Sequence, residues 1–224
     1  MTMSRRTALT TSAALLTAGL AGPRLALAQG AAPRPERTLT GDDLTALHTP
    51  DEGVEERVLG APDARVTCVE YASLTCPHCA SFHTDVLPQI KSRFIDTGQV
   101  RFIFRHFLLT APDAGASMMA RCAPAERFFP ILDRLFSEQR SWATARDPVD
   151  AVRNIALQAG FTQETFEACL QNQELLDRLQ AQTDRAEQRF GVEATPTLFV
   201  NGQMYQGALR LAEFESVVAP LLRS

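Results

Sequence analysis

The strongest periodic signal in the chain is Phe82, Val86, Ile90 and Phe94, four residues apart, which predicts a helix with one apolar face. Pro77 suits its first turn, where the missing N–H has no helical partner anyway, and Pro88 predicts a kink inside it. Short runs dense in β-formers flank this helix: Arg65-Val66-Thr67-Cys68-Val69-Glu70-Tyr71 before it and residues 100–107 after it, each read as a buried strand. From Ala111 to about Arg189 the apolar spacing is helical. Pro124, Pro130, Pro148 and Gly160 punctuate several helices, Thr162 caps one with Glu164 in its first turn, and Gly191 ends the region. Thr197–Val200 then reads as a strand, Asn201-Gly202 as a two-residue type I′ turn, Gln203-Met204-Tyr205 as the return strand, and Leu211 to Leu222 as a closing helix.

With the helical block set aside, the order is βαβ followed by ββα. That order predicts an α/β, thioredoxin-like fold with an inserted helical subdomain at about 111–189, the domain as a whole covering 56–224. Residues 29–55, rich in Ala, Pro, Thr and charge, read as a loose N-terminal extension in which Leu39, Leu44 and Leu47 could form a short docking element.

The first 28 residues read as an address. Arg5 and Arg6 precede an apolar run from Ala8 to Leu20, and Ala26-Leu27-Ala28 is an A-x-A cleavage pattern. The run is too short to span a bilayer, which needs about 20 residues. Ser4-Arg5-Arg6-Thr7-Ala8-Leu9 partly matches a twin-arginine signal, and an ordinary secretory signal stays open beside it. Either route predicts export, with cleavage after Ala28 and a mature protein in the periplasm. The segment holds Arg5, Arg6 and Arg24 and no acid, so its removal takes the net charge from −4 to −7. That charge excludes a phosphate-neutralising surface and so argues against nucleic-acid binding.

Five cysteines are too few for a small disulfide scaffold. Cys76-Pro77-His78-Cys79 stands where the first strand meets the helix, so Cys76 takes the cap position against unpaired N–H groups and the positive end of the helix dipole. A thiolate is favoured there, and a protonated His78 would add to the effect. Stabilising the thiolate stabilises the reduced form, which makes the disulfide form the stronger oxidant. A static disulfide, or a metal site using these thiols with His78 or His83, is the competing assignment; structural zinc wants four ligands and only one C-x-x-C is present.

The C-P-H-C motif resembles the active site of the DsbA-like family of periplasmic thiol:disulfide oxidoreductases. Residues 191–202, with Thr195-Pro196, resemble that family's cis-proline segment, and Glu70 resembles its buried acid beneath the motif. The resemblance covers about Val58 to Leu222. It implies that Cys76 and Cys79 are the redox pair, needing no further cofactor. It also implies that Pro77 and His78 tune the pair, that Pro196 is cis, that Thr195 presents backbone groups to a bound peptide, and that Glu70 relays a proton to or from Cys79. The implied function is a dithiol oxidase acting through a mixed disulfide on reduced, unfolded exported proteins. Its implied reoxidant is a quinone-coupled membrane partner of the DsbB type, and the mature protein is expected as a soluble monomer. A disulfide reductase or isomerase is the nearest rival, and a thiol-based copper-handling protein a more distant one. Some members of the family also suggest a second bridge, Cys122–Cys169, against the alternative of two buried free thiols. Cys68 reads as a small buried hydrophobe, and His83 and His106 as surface or helix-packing residues, with a role near the active site as the alternative.

Overall fold

In the computed structural model, residues 32–223 are described, so the expected export signal and its cleavage point lie outside the described residues. Strand β1 is Arg37–Thr38, helix α1 Gly41–His48, β2 Arg57–Leu59 and β3 Val66–Ala72. Helix α2 runs over residues 77–95 and leads to β4, Val100–His106. The helical block is α3 Ala111–Cys122, α4 Ala125–Ser137, α5 Gln139–Ala143, α6 Pro148–Gln158, α7 Gln163–Leu170 and α8 over 173–190. Strands β5 Thr197–Val200 and β6 Gln203–Gln206 and helix α9 Leu211–Arg223 complete the chain. The sheet order is β1-β6-β5-β3-β4-β2, with β3 and β4 parallel and every other pair antiparallel. The two sheet edges are therefore the two shortest strands, of two and three residues.

Side chains alternate across a strand, and in β3 this alternation feeds two cores. Cys68 and Ala72 enter the larger core with Phe82, Phe102, Phe104 and Leu198, while Val69 and Tyr71 enter a second core on the opposite face. Glu70, between them, shares parity with Cys68 and Ala72 and so lies on the face covered by α2.

Helix α2 is less regular than its period-four stripe implies. Two of its turns, Phe82–Val86 and Lys91–Ile95, are π-helical. Each widened turn moves the inward face on by one residue. Leu87 and Ile95 are accordingly 4% and 2% exposed, where the stripe places Val86 and Phe94. The helix accommodates Pro88 next to the first of these turns rather than breaking there.

The described part of the N-terminal segment, residues 32–55, is not loose. Thr38 and Arg37 pair with Gln203 and Met204, and Leu39 and Leu47 are buried in the second core with Tyr71, Phe190 and Phe199. Asp51 is buried as well, and binds Gln182 Nε2 at 2.6 Å and the guanidinium of Arg185. Three leucines and one anchored carboxylate suffice to fold a stretch whose composition reads as linker. The docking is tight at the β5–β6 turn, where Asn201 and Gly202 have φ of 46° and 82°. A Cβ on Gly202 would meet Leu44 Cδ1 at 2.6 Å, so the turn needs glycine for its conformation and for the approach of this segment.

In the helical block, Cys122 at the end of α3 is bonded to Cys169 in α7, across a sequence separation of 47. In the chain-entropy account such a bridge contributes up to about 4 kcal/mol. Gly191, at φ 75°, ends α8 in the left-handed conformation that the sequence places there.

Candidate active site

The loop between β3 and α2 carries Ser73, Leu74 and Thr75 and delivers Cys76 to the helix cap, at φ −81° and ψ 120°. Pro77 opens the helix, and it and His78 are exposed. Cys76 is 9% exposed and Cys79 fully buried, both as free thiols. Cys79 lies one turn into the helix, within hydrogen-bonding range of the Cys76 sulfur.

The two sulfurs have opposite electrostatics. The Cys76 pKa is lowered to about 5. The hydrogen bond from the Cys79 thiol contributes most, followed by the Thr195 side chain and the backbone N–H groups of Cys79 and His78, all against the opposing effect of burial. Thr195 acts on both protonation states, because its carbonyl also accepts the thiol S–H of Cys76 at 3.2 Å. His78 reaches Cys76 through its backbone N–H, an effect that the histidine charge expected from sequence does not describe. Burial pushes the Cys79 thiol far up, and its bond to Cys76 and the charge of Glu70 push it further.

The Thr195–Pro196 bond is cis. Pro196 is buried, and its carbonyl accepts the Gly207 N–H at 2.7 Å. Thr197 Oγ1 donates to Ala194 O at 2.7 Å, which ties the segment from its other side. This segment thus comes from the far end of the sequence to the edge of the C-x-x-C motif.

Glu70 lies beneath the motif, fully buried, as the resemblance implies. His83 is the surprise: it is buried too, and its Nε2 lies 2.8 Å from Glu70 Oε2. Its ring stacks on Phe136 with centroids 4.1 Å apart. The expectation of a surface or packing role for His83 missed this pairing. His106 is a packing residue, buried against Phe104 and Phe128, and burial lowers its pKa well below the ordinary value. Cys68 is buried with its pKa pushed up, as expected of an inert thiol.

Two further residues position the loop, and both come from the helical block. Asp113 of α3 accepts from Ser73 Oγ at 2.6 Å, from the Leu74 N–H at 2.9 Å and from the Leu109 N–H at 3.0 Å. Gln139 of α5 donates from Nε2 to Leu74 O at 2.8 Å and to Cys76 O at 2.9 Å. Replacing Gln139 by Ala strands the buried Leu74 carbonyl and leaves Cys76 O only the Ala80 N–H, and urea denaturation is expected to show a loss of about 1–2 kcal/mol; an unchanged midpoint would show that the clamp adds nothing to stability. Beside Pro77 lies a cleft of about 460 Å³. Its walls are mixed: Ala80 and Phe136 stand beside Thr75, Ser81, Ser137 and Arg140.

The profile of the thioredoxin family matches residues 52–219. A Rickettsia bellii protein provisionally named protein-disulfide oxidoreductase is 32% identical over 148 residues, which are 66% of this chain and 57% of that protein. The chain spans little more than half the length of these Rickettsia relatives. The disulfide bond formation protein D of Bacillus subtilis is 25% identical over 195 residues, covering 84% of this chain and 85% of that protein. Among solved structures, alpha-DsbA1 of Wolbachia pipientis superposes with a TM-score of 0.73 at 30% identity, covering 80% of this chain and 95% of that one.

Proposed function

Because the chain belongs to the thioredoxin family, in its DsbA-like branch, we propose that it is a thiol:disulfide oxidoreductase working as a dithiol oxidase, which introduces disulfides into exported proteins through Cys76 and Cys79. The observation that carries this reading is the Cys76 thiolate, favoured down to a pKa of about 5. A thiolate exists only in the reduced enzyme, so every contact that favours it makes the Cys76–Cys79 disulfide easier to reduce and hence a stronger oxidant.

The cycle follows from the asymmetry of the two sulfurs. A substrate thiolate attacks Cys76 Sγ in the disulfide, forms a mixed disulfide and expels Cys79 as a thiolate, which takes up a proton. A second substrate thiolate attacks its own partner sulfur in the mixed disulfide and expels Cys76 as a thiolate. The substrate has then lost two electrons and the enzyme has gained them. Cys76 is the better leaving group of the pair, because the lower the pKa of the departing thiol, the faster it leaves. Glu70 exchanges the proton of Cys79, with which it interacts through its charge. The Thr195 carbonyl at Cys76 marks where a substrate backbone would lie beside the reacting sulfur.

In this reading the mature protein acts in the periplasm after cleavage behind Ala28, as a monomer. Its substrates are reduced, unfolded exported proteins, and a quinone-coupled membrane oxidase of the DsbB type reoxidises it. The test is the equilibrium of the pair with glutathione. The expected potential lies well above the roughly −270 mV of thioredoxin. A value near that of thioredoxin would overturn the oxidase assignment in favour of a reductase.

A further inference from the structure

Cys79 is 0% exposed, so the proton that it takes up on release, and gives back on reoxidation, has to cross protein. Glu70 interacts with Cys79 through its charge, but it is itself 0% exposed and is not part of the wall of the cavity beside α2. His83 provides the continuation. Its Nε2 is 2.8 Å from Glu70 Oε2, with both side chains fully buried. One atom at each end of this pair is left open: Glu70 Oε1 and His83 Nδ1 are buried without a hydrogen-bond partner among the described residues. On its outer side, His83 forms part of the wall of a cavity of about 580 Å³ beside α2 and α4. The ring is held in register by its stack on Phe136 and by T-shaped contacts with Phe82 and Phe104.

We propose that Glu70 and His83 form a proton path from Cys79 to the water of this cavity, with His83 as its outer member. This rests on the thiol–disulfide exchange inferred above and adds a positioned group to it. When the Cys76–Cys79 bond breaks toward a mixed disulfide, Cys79 Sγ leaves as a thiolate and takes the proton of Glu70 in its neutral carboxylic form, which leaves the carboxylate. Glu70 regains one from His83 Nε2, and His83 takes one at Nδ1 from cavity water. No electrons move in these transfers. In the reoxidation half-cycle Cys79 must lose its proton to attack, and the same transfers run backward. One proton enters and one leaves per turnover, so the imidazole returns to its starting tautomer. The charged groups around the path are Asp133 and Arg134 of α4, Glu138 just after it and Lys91 of α2, all on the cavity side. The Cys68 thiol lies near enough to Glu70 to feel its charge.

The path matters because Cys79 is a poor leaving group unless protonated as it departs. The experiment compares wild type, His83→Ala and His83→Gln for the stopped-flow rate of oxidising a fluorescent dithiol peptide, with and without free imidazole. Gln can keep the hydrogen bond to Glu70 and most of the ring's volume but cannot relay a proton. Both variants are expected to be slowed roughly tenfold or more, with the Cys76 titration midpoint unchanged. Imidazole is expected to restore His83→Ala, whose cavity is enlarged to admit it, and not His83→Gln. His83→Gln at the wild-type rate overturns the proposal, even if His83→Ala does not fold. A slowed, folded His83→Ala that imidazole leaves slow also overturns it, because a purely structural loss has no rescue. A wild-type protein that exchanges no thiols fails differently: it overturns the activity itself, and the path with it.

Discussion

Replacing Cys76 by Ser is expected to lower dithiol oxidation by more than about a thousandfold, and replacing Cys79 by Ser, which also leaves no Cys76–Cys79 disulfide, is expected instead to trap a mixed disulfide on Cys76. Without Cys76 the thiols outside the structural bridge are Cys68 and Cys79, both fully buried. Burial is the main force that holds both as thiols rather than thiolates. Each unit by which a thiol pKa rises above the ambient pH cuts the reactive fraction tenfold, and loss of access adds to that. Cys79→Ser keeps the Cys76 nucleophile and removes the thiol that, in the reverse direction, would attack the mixed disulfide and expel the peptide. Incubated with an oxidised peptide, it should accumulate a mixed disulfide through Cys76, visible as one peptide mass added to the protein. Turnover by Cys76→Ser, or an adduct on any other cysteine in Cys79→Ser, would contradict this division of labour.

The second large effect concerns pH. In the folded, reduced protein the Cys76 thiolate has a pKa of about 5, against about 8.5 for an unfolded cysteine. A depressed folded value adds stability that is complete above the unfolded pKa and is lost as pH falls through the folded one. The window therefore runs from about pH 5 to 8.5. Within it the reduced protein gains stability over the oxidised protein, which has no thiol at Cys76 to titrate. The two units between pH 5 and 7 correspond to about 2.7 kcal/mol if solvent did nothing. Cys76 borders water at the helix cap, and screening reduces this to about 1–2 kcal/mol at pH 7. Urea denaturation of both redox forms at pH 4, 5.5, 7 and 8.5 would show a difference that is flat below pH 5 and widens above it. Cys79→Ala removes the thiol that contributes most to the shift and should raise the Cys76 midpoint; Cys79→Ser, which keeps a donor, should raise it less. A difference that narrows with rising pH would refute the assignment.

What the sequence revealed depended on how local the signal was. The strand leading into Cys76-Pro77-His78-Cys79, the Asn201-Gly202 turn and the Gly191 stop are each set by a few adjacent residues, and each stands where the pattern placed it. The thioredoxin-like order survived the long helical insertion because the strands on either side of it are dense in β-formers. The N-terminal segment was misread because β1 has two residues and no periodicity of its own; its partner strand supplies its conformation. Glu70 was legible only through resemblance, and His83 not at all as its partner. A helical histidine and a strand glutamate 13 positions apart become neighbours only once α2 lies across β3. Asp113 and Gln139 were missed for the same reason, acting on the motif loop from 39 to 65 residues away.

On the proposed function, the short outer strands of the sheet bear on how the protein would handle unfolded chains without being caught by them. A long, flat sheet edge is a template onto which an extended segment of another polypeptide adds, and repeated addition is the start of aggregation. Here the outermost strands offer two and three residues, Arg37–Thr38 and Arg57–Leu59. An incoming chain finds too few free N–H and C=O groups on either side to anneal to. In the proposed cycle, capture would then be left to a single covalent bond at one sulfur, which the next thiolate can undo.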